Sequence, residues 1–472
     1  MKDREKRLYD ALTDIDDAYI VEAHEAMHHK QCVVSSGNRR PKWLPWLVTA
    51  AAIALVVFAA YRFGWIGGTG TNRILAASVV QAADVPTDST GSAWLNSSAS
   101  NRFTEAMTMF AMESTVKLAA EEDGNLTYSP VSLYYALAML AEGSGGGTEA
   151  ALLDVLGMPN RETLAEDAGN YLRAVSYSIN TSSIASKLQM ANSVWFDNEV
   201  QDQAITFKQD YLDTLSSEYH ASTHQVDFAD PDAAKAIGSW IKENTAMDVI
   251  DPLETDENTL MTLINAIDFQ AEWVDQFRPE DVEDGEFRTG NNQSVTVSFM
   301  HRVETGGFAR NDTFTRASLP LKSQATISFI LPDEDTSVDD LLVDEHVLHH
   351  AIYGGTDTYG EVTWQIPKFR TESNLVLDDL ISQMGLSTVF SPNADLSRIT
   401  ASPLWLSSAK QETVFEINEE GVSASAYSTL QIAGEPIIED RAEMILDRPF
   451  LYVVSVREVP LFVGVCRDPS VG

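Results

Sequence analysis

Three hydrophobic patterns follow one another along the 472-residue chain. The first is continuous: Trp43 to Tyr61 is an uncharged run of 19 residues between Lys42 and Arg62, with its most apolar part at Leu47–Ala60. As a helix it would be about 28 Å long, enough for a hydrocarbon core of roughly 30 Å. Trp43, Trp46, Tyr61 and Trp65 stand at its two ends, where interfacial aromatics anchor a span. Lys30, Arg39, Arg40 and Lys42 precede it, whereas only Arg62 and Arg73 follow within 20 residues, so the positive-inside rule puts the N-terminus in the cytoplasm. Residues 43–61 are therefore predicted to be a single transmembrane helix behind a cytoplasmic tail, 1–42. A signal peptide is the alternative, since small residues such as Ala76-Ala77-Ser78 follow, but a 42-residue leader is far longer than such peptides carry.

The second pattern is the lack of one. Residues 62–98, with Gly64, Gly67, Gly68 and Gly70 and then Ser, Thr, Asp and Ala, read as an extracellular spacer. The third begins near Phe103. Helical periodicity runs through Phe103–Ala120 and Ser132–Leu140, and apolar strands follow at Thr262–Phe269, Ala325–Leu331 and Phe450–Val454. Helices first and strand-rich sequence afterwards is the α+β order, here in one domain over 99–472.

Charge divides along the same boundaries. The chain carries a formal −38, but residues 1–71 are +1 and residues 72–472 are −39. Such a field repels phosphate and sulfate polymers, which excludes nucleic acid and heparin-type polyanions as partners. With only Cys32 and Cys466 there is no disulfide framework, and a disulfide-free domain behind an N-terminal signal-anchor fits a bacterial surface protein. Cleavage near residues 76–84 would release it.

Two motifs invite enzymatic readings that their surroundings do not support. His24-Glu25-Ala26-Met27-His28 matches H-E-x-x-H, yet a 42-residue tail cannot supply the cleft and third ligand of a zinc protease. Gly143-Ser144-Gly145-Gly146-Gly147 lacks the Lys-Ser/Thr of a phosphate loop, and no G-x-S-x-G elbow accompanies the histidines at 220, 224, 301, 346, 349 and 350. Neither a cofactor nor a metal is expected, and the chain is not expected to be an enzyme.

An ordered series of segments is more informative. Asn125-Leu-Thr-Tyr-Ser129-Pro130-Val-Ser132, Leu137-Ala-Met-Leu140, Val226-Asp-Phe228, Ile237-Gly-Ser-Trp240, Leu263-Ile-Asn265-Ala-Ile-Asp-Phe269-Gln-Ala-Glu-Trp273, Ile366-Pro-Lys-Phe369, Glu416-Ile-Asn-Glu-Glu-Gly421 and Asp447-Arg-Pro-Phe450 follow one another. This series, over about residues 100–470, resembles the serpin family of serine protease inhibitors. The resemblance implies a large central mixed sheet, two further sheets, about eight or nine helices and an exposed reactive loop. It also implies breach and shutter positions at Trp273, Asn265, Ser129, Ser132 and Gln411. Gln411 departs from the histidine common there, Ala271 from a glycine and Asp268 from an apolar residue.

In the mechanism that the resemblance implies, a protease attacks the loop, forms an acyl-enzyme, and is carried off as the cut loop enters the central sheet. The loop's own residues bear on whether it can enter. The hinge is Glu420, Gly421, Val422, Ser423, Ala424, Ser425, Ala426, Tyr427 and Ser428, followed by Thr-Leu-Gln-Ile432. One parity reads Val, Ala, Ala, Ser, Leu, Ile and the other Ser, Ser, Tyr, Thr, Gln, which is a half-buried strand with no charge or proline. About a dozen ladder bonds at roughly 0.5–1.5 kcal/mol each would gain on the order of 10 kcal/mol. A non-inhibitory member, serving as a binding module or as a plain protease substrate, is the alternative.

Two scissile bonds remain open. Counting forward from Gly421 gives Glu435-Pro436, and counting back from Pro449 gives Ile438-Glu439. The flanking Ile432-Ala433-Gly434 is small and aliphatic, and the only nearby cation is Arg441, so the expected targets are elastase-like serine proteases, with a glutamate-specific protease second. The ectodomain is expected to be monomeric.

Overall fold

The computed structural model describes residues 76–83, 94, 97–182, 187–200, 203–230, 232–245, 259–322, 324–422 and 440–471. The expected membrane span and the H-E-x-x-H segment lie outside these residues. Among the described ones, no helix is long and apolar enough to cross a membrane.

A first strand, β1 (Ala76–Val80), precedes the helical part. Helix α1 (Ser98–Ala119) starts where Ser97 Oγ accepts a hydrogen bond from Ser100 N at 3.1 Å, and it buries a stripe of Phe103, Met107, Phe110, Ala111 and Leu118. After the short β2 (Leu126–Tyr128), α2 (Pro130–Gly143) begins with Ser129 as its cap and proline in its first turn, and all 14 of its residues are buried. Such a helix belongs in the middle of a protein. Next come α3 (Gly146–Val155), α4 (Arg161–Ser182), β3 (Lys187–Asp197), the small hairpin β4 (Glu199–Val200) and β5 (Gln203–Ala204), α5 (Gln209–Ser217), β6 (Ala221–Val226) and α6 (Ala233–Asn244). The chain then turns strand-rich, with β7 (Met261–Glu272), β8 (Val282–Arg288), β9 (Ser294–Arg310), β10 (Phe314–Pro320), β11 (Ala325–Pro332), α7 (Glu345–Tyr353), β12 (Thr358–Pro367) and β13 (Phe369–Val376). The last elements are α8 (Asp378–Ile381), β14 (Ser408–Ile417), β15 (Gly421–Val422), β16 (Arg441–Ile445), β17 (Phe450–Val456) and β18 (Val459–Cys466). Eight α-helices thus stand among the described residues.

Seven strands form a mixed sheet in the order β1-β6-β3-β7-β15-β14-β13, parallel where β3 meets β6 and where β7 meets β14. The two further sheets expected from the sequence are instead continuous. β9 is 17 residues long and pairs with β12 over Phe299–Phe308 and with β10 at Phe308–Arg310, so one path of eight strands runs from β16 to β2, with β8 attached to β9. The main core lies between this sheet and the inner face of the seven-stranded one, with α2 inside it. A second, smaller core of Trp195, Val226, Phe228, Ile237, Ile241, Ile264 and Ala266 lies on the outer face of the seven-stranded sheet, beneath α6.

The spacer expected over 62–98 ends earlier than its composition implied. β1 pairs antiparallel with β6, Ala76 opposite Val226 and Ser78 opposite His224. Ala83 N donates to Ser216 O at 3.3 Å, Ser216 Oγ donates to Gln81 O at 2.9 Å, and His220 Nδ1 lies 2.9 Å from Ala83 O. Trp94 Nε1 donates to Asp167 Oδ1 at 3.1 Å. The physical reason is the open edge of β6, whose unpaired backbone groups take up any adjacent extended segment.

Candidate functional site

The seven-stranded sheet is zipped at one end and parted at the other. In its lower half β7 and β14 pair directly and in parallel, Thr262 with Ser408 through Ala266 with Glu412. That register, continued, sets Ala271 against Ile417, but there the two strands do not meet: Val422 pairs antiparallel with both, and Gly421 pairs with Glu272. Residues 267–270 and 413–416 therefore flank an interval in which neither strand pairs with the other. The chain beyond Val422 leaves from the head of this interval and returns at Asp440, whose carbonyl accepts from Glu361 N at 2.9 Å, before β16 joins β12. The expected hinge residues Ser423–Ser428, and Ile432, Ala433, Glu435, Pro436, Ile438 and Glu439, fall outside the described residues.

The parted end is built so that only one residue type fits its turn. Gly421 has φ +152°, and a Cβ there would come within 2.3 Å of Ala271 O. Asn418 Oδ1 accepts from Glu420 N at 2.9 Å and Gly421 N at 3.2 Å, which folds the chain back toward β7. Trp273 is fully buried; its Nε1 donates to Asn418 O at 2.9 Å and its backbone N to Glu420 O at 3.0 Å. Phe277 meets the Trp273 ring edge-on at 5.7 Å and carries the Arg302 guanidinium over its own face at 4.4 Å. Two ion pairs close the rim, Lys368–Glu419 at 2.8 Å and Lys322–Glu272 at 2.5 Å. Partial burial works to raise the Glu419 pKa, but the Lys368 hydrogen bond and charge outweigh it and hold the carboxyl below its ordinary range.

A buried polar set lies at the zipped end, where Asn265 pairs across to Gln411. Gln411 takes both backbone groups of one residue: Ser129 N donates to its Oε1 at 2.7 Å and its Nε2 donates to Ser129 O at 2.9 Å. This is how a glutamine serves where a histidine was the expected residue: it satisfies the cap of α2 through a two-point amide contact. Asn265 Nδ2 donates to Asn192 Oδ1, and Asn192 Nδ2 donates to Tyr219 O at 3.0 Å. Asn265 Oδ1 and Ser132 Oγ are buried with no partner. A buried acceptor without a donor costs about 1–3 kcal/mol, so this centre stores a polar debt.

The structure thus brings Ser129, Ser132, Asn265 and Gln411 together at one end and Trp273, Glu420, Gly421 and Val422 at the other. Asp268, singled out as a departure, lies on the outer face and pairs with Lys187 at 3.5 Å, so it puts no charge into the core. Ala271 is the backbone partner of Val422. Sequence reasoning missed Asn192 and the Lys322 and Lys368 pairs; the polar Asn192 inside the apolar run Met190–Phe196 was the available signal for the first. Among the described residues no group of three or more His, Cys, Asp or Glu could hold a metal.

This arrangement has counterparts among known proteins. The family model described as "Serpin (serine protease inhibitor)" matches residues 105–469. Serpin-ZXA of Oryza sativa subsp. japonica is 28% identical over 382 residues, covering 76% of this chain and 94% of its own. In three dimensions the chain superposes on a thermophilic serpin, tengpin, in the native state with a TM-score of 0.72 at 24% identity, covering 84% of this chain and 100% of that one. It superposes on thyroxine-binding globulin complexed with thyroxine with a TM-score of 0.65 at 23% identity, covering 78% and 99%. With 365 of its 472 residues matched by that model, and with a central sheet parted around a glycine hinge, the chain belongs to the serpin family.

Proposed function

We propose that this serpin is inhibitory: a serine protease cuts the segment between Val422 and Asp440, and the freed strand enters the sheet before the acyl-enzyme is hydrolysed. The observation that carries the reading is Val422, already seated between Ala271 and Ile417 with β7 and β14 parted beneath it. Continued, its antiparallel register would give each residue as far as Ile432 a berth. Ala424 would fall between Phe269 and Phe415, Ala426 between Ile267 and Thr413, and Leu430 between Leu263 and Ala409, so the two alanines would each meet at least one large neighbour and the leucine one small one. Ser428 falls between Asn265 and Gln411, where its hydroxyl can donate to the unpartnered Asn265 Oδ1. Tyr427, the bulky outlier, would fall on the outward parity beside Ala266. Ile432 reaches Met261, the first residue of β7, so the berths end there.

The small aliphatic stretch before either candidate bond favours elastase-like targets. The berths leave Ala433–Glu435 as tether if the cut follows Glu435, and Ala433–Ile438 if it follows Ile438. The reading extends to surface display: the apolar run 43–61 supports an anchor that holds the domain outside a membrane, in a bacterial-type architecture. Mixing the whole chain with pancreatic elastase should give an SDS-stable complex whose released peptide, weighed by mass spectrometry, begins at Pro436 or Glu439. Cleavage without a complex would return the chain to the substrate or binding-module reading. No cleavage would remove elastase from the targets. A cut made between 428 and 440 should also raise the melting temperature sharply; an unchanged value sinks insertion itself.

A further inference from the structure

On the outer face of the seven-stranded sheet, one histidine is built into an aromatic stack. His224 on β6 is 6% exposed and lies face to face with Trp195 of β3, ring centroids 4.3 Å apart and 19° from parallel. Trp240 of α6 meets it edge-on at 5.9 Å and meets Trp195 at 6.2 Å. Ser222 Oγ sits 2.7 Å from His224 Nε2, and Trp195 Nε1 is taken by Ser193 Oγ at 2.8 Å. These three rings join the helix to two strands at once. The same helix reaches β7 at Ile264 and Ala266, within the stretch where β7 is still zipped to β14. Its grip is therefore on the closed half of the sheet and not on the parted half.

We propose that the Trp195–His224–Trp240 stack is an acid-released clasp: with the imidazole neutral it holds α6 down over the zipped strands, and protonation frees the helix. An imidazolium has two N–H donors to satisfy, and its charge must be solvated. The stack offers one hydroxyl and two ring faces. No compensating carboxylate is arranged beside it. The ionisable groups on the packed elements are Lys187 and Asp197 on β3, Asp210, Tyr211 and Asp213 on α5, and Lys235, Lys242 and Glu243 on α6, with none on β1. Burial alone pushes the imidazole down to about 4. Lys187 pairs with Asp268, Lys235 with Asp232, and Asp197 accepts from Glu199 N and Phe228 N. An opened helix restores the ordinary histidine value near 6.5. Opening is thus uphill in full above pH 6.5, and becomes progressively easier as pH falls from 6.5 to about 4.

The clasp stands without the inhibitory reading; only its consequence, a shorter lifetime for the loop-out state in acid, rests on it. Two measurements on the full chain, neither involving a protease, test it. Tryptophan fluorescence titrated from pH 8 to 3.5 should show a step near pH 4 that vanishes in H224F, since a protonated imidazole stacked on an indole quenches it. Amide exchange, corrected for its intrinsic pH dependence, should rise in 233–244 at least tenfold between pH 7.5 and 4.5, against a ceiling on the order of a hundredfold. H224F should abolish the rise. H224L answers the same question should H224F not fold. A step or a rise that persists in the variant overturns the proposal, and so does an exchange increase in the unaltered chain no larger in α6 than in α1.

Discussion

Gly421 and Gln411 show how much rests on single residues at the two ends of the opening. At Gly421 any side chain meets the Ala271 carbonyl, so G421V should lever the hinge out of the sheet at a cost of about 1–3 kcal/mol. Its signature is kinetic: cleavage by elastase continues, but the fraction trapped as covalent complex falls toward zero. If trapping is unchanged, the seated hinge is not what starts insertion. Gln411 bonds both backbone groups of Ser129. Q411L should strand the buried Ser129 N–H and leave its carbonyl only the 3.4 Å bond from Leu133 N, losing about 1–3 kcal/mol, and thermal or urea unfolding reads this directly. That Gln411 mattered was legible only through the family resemblance, which marks it as standing where a histidine is common. Its partner was not legible, because the bond crosses 282 residues of chain to a backbone group.

Elements repeat the lesson. α2 was readable from the helical periodicity of Ser132–Leu140, and β7, β11 and β17 from their apolar runs, each within a few residues of its observed ends. β1 was not, because Ala-Ala-Ser-Val-Val carries no strong periodicity and its pairing energy comes from β6, about 150 residues away. α2 also hides a titrating group. Glu142, 3% exposed, accepts from Tyr219 OH at 3.0 Å and lies 3.4 Å from Arg161, yet burial outweighs both and pushes its carboxyl up to about 7. Because the native pKa is above the unfolded value near 4.5, the neutral form's contribution is complete below pH 4.5 and is lost as pH rises toward 7. E142Q, which keeps an acceptor for Tyr219, should therefore leave the melting temperature unchanged at pH 4 and raise stability by about 1–3 kcal/mol at pH 8. Equal melting curves at pH 8 would mean that Glu142 stays ionised without penalty. Joining the two expected sheets through β9 likewise escaped local reading: a 17-residue strand that serves one partner and then another looks in sequence like two.

Across the whole molecule the net −39 of residues 72–472 acts at distances no hinge can reach. It favours encounter with cationic proteases and should make association salt-sensitive. Raising NaCl from 50 to 500 mM should slow capture of a basic elastase by about tenfold or more and leave capture of a neutral one nearly unchanged. Equal slowing of both would assign the effect to the loop and not to the field. Were the domain anchored as proposed, shedding it could not be neutral toward the fold. A cut placed after Val80, within the small-residue stretch 76–84, would remove β1 and leave β6 as a bare strand edge from Thr223 to Val226. Such an edge invites a strand from another molecule. Release by such a cut would expose an edge able to pair with a second copy of the chain, whereas a cut before Ala76 would leave that edge covered.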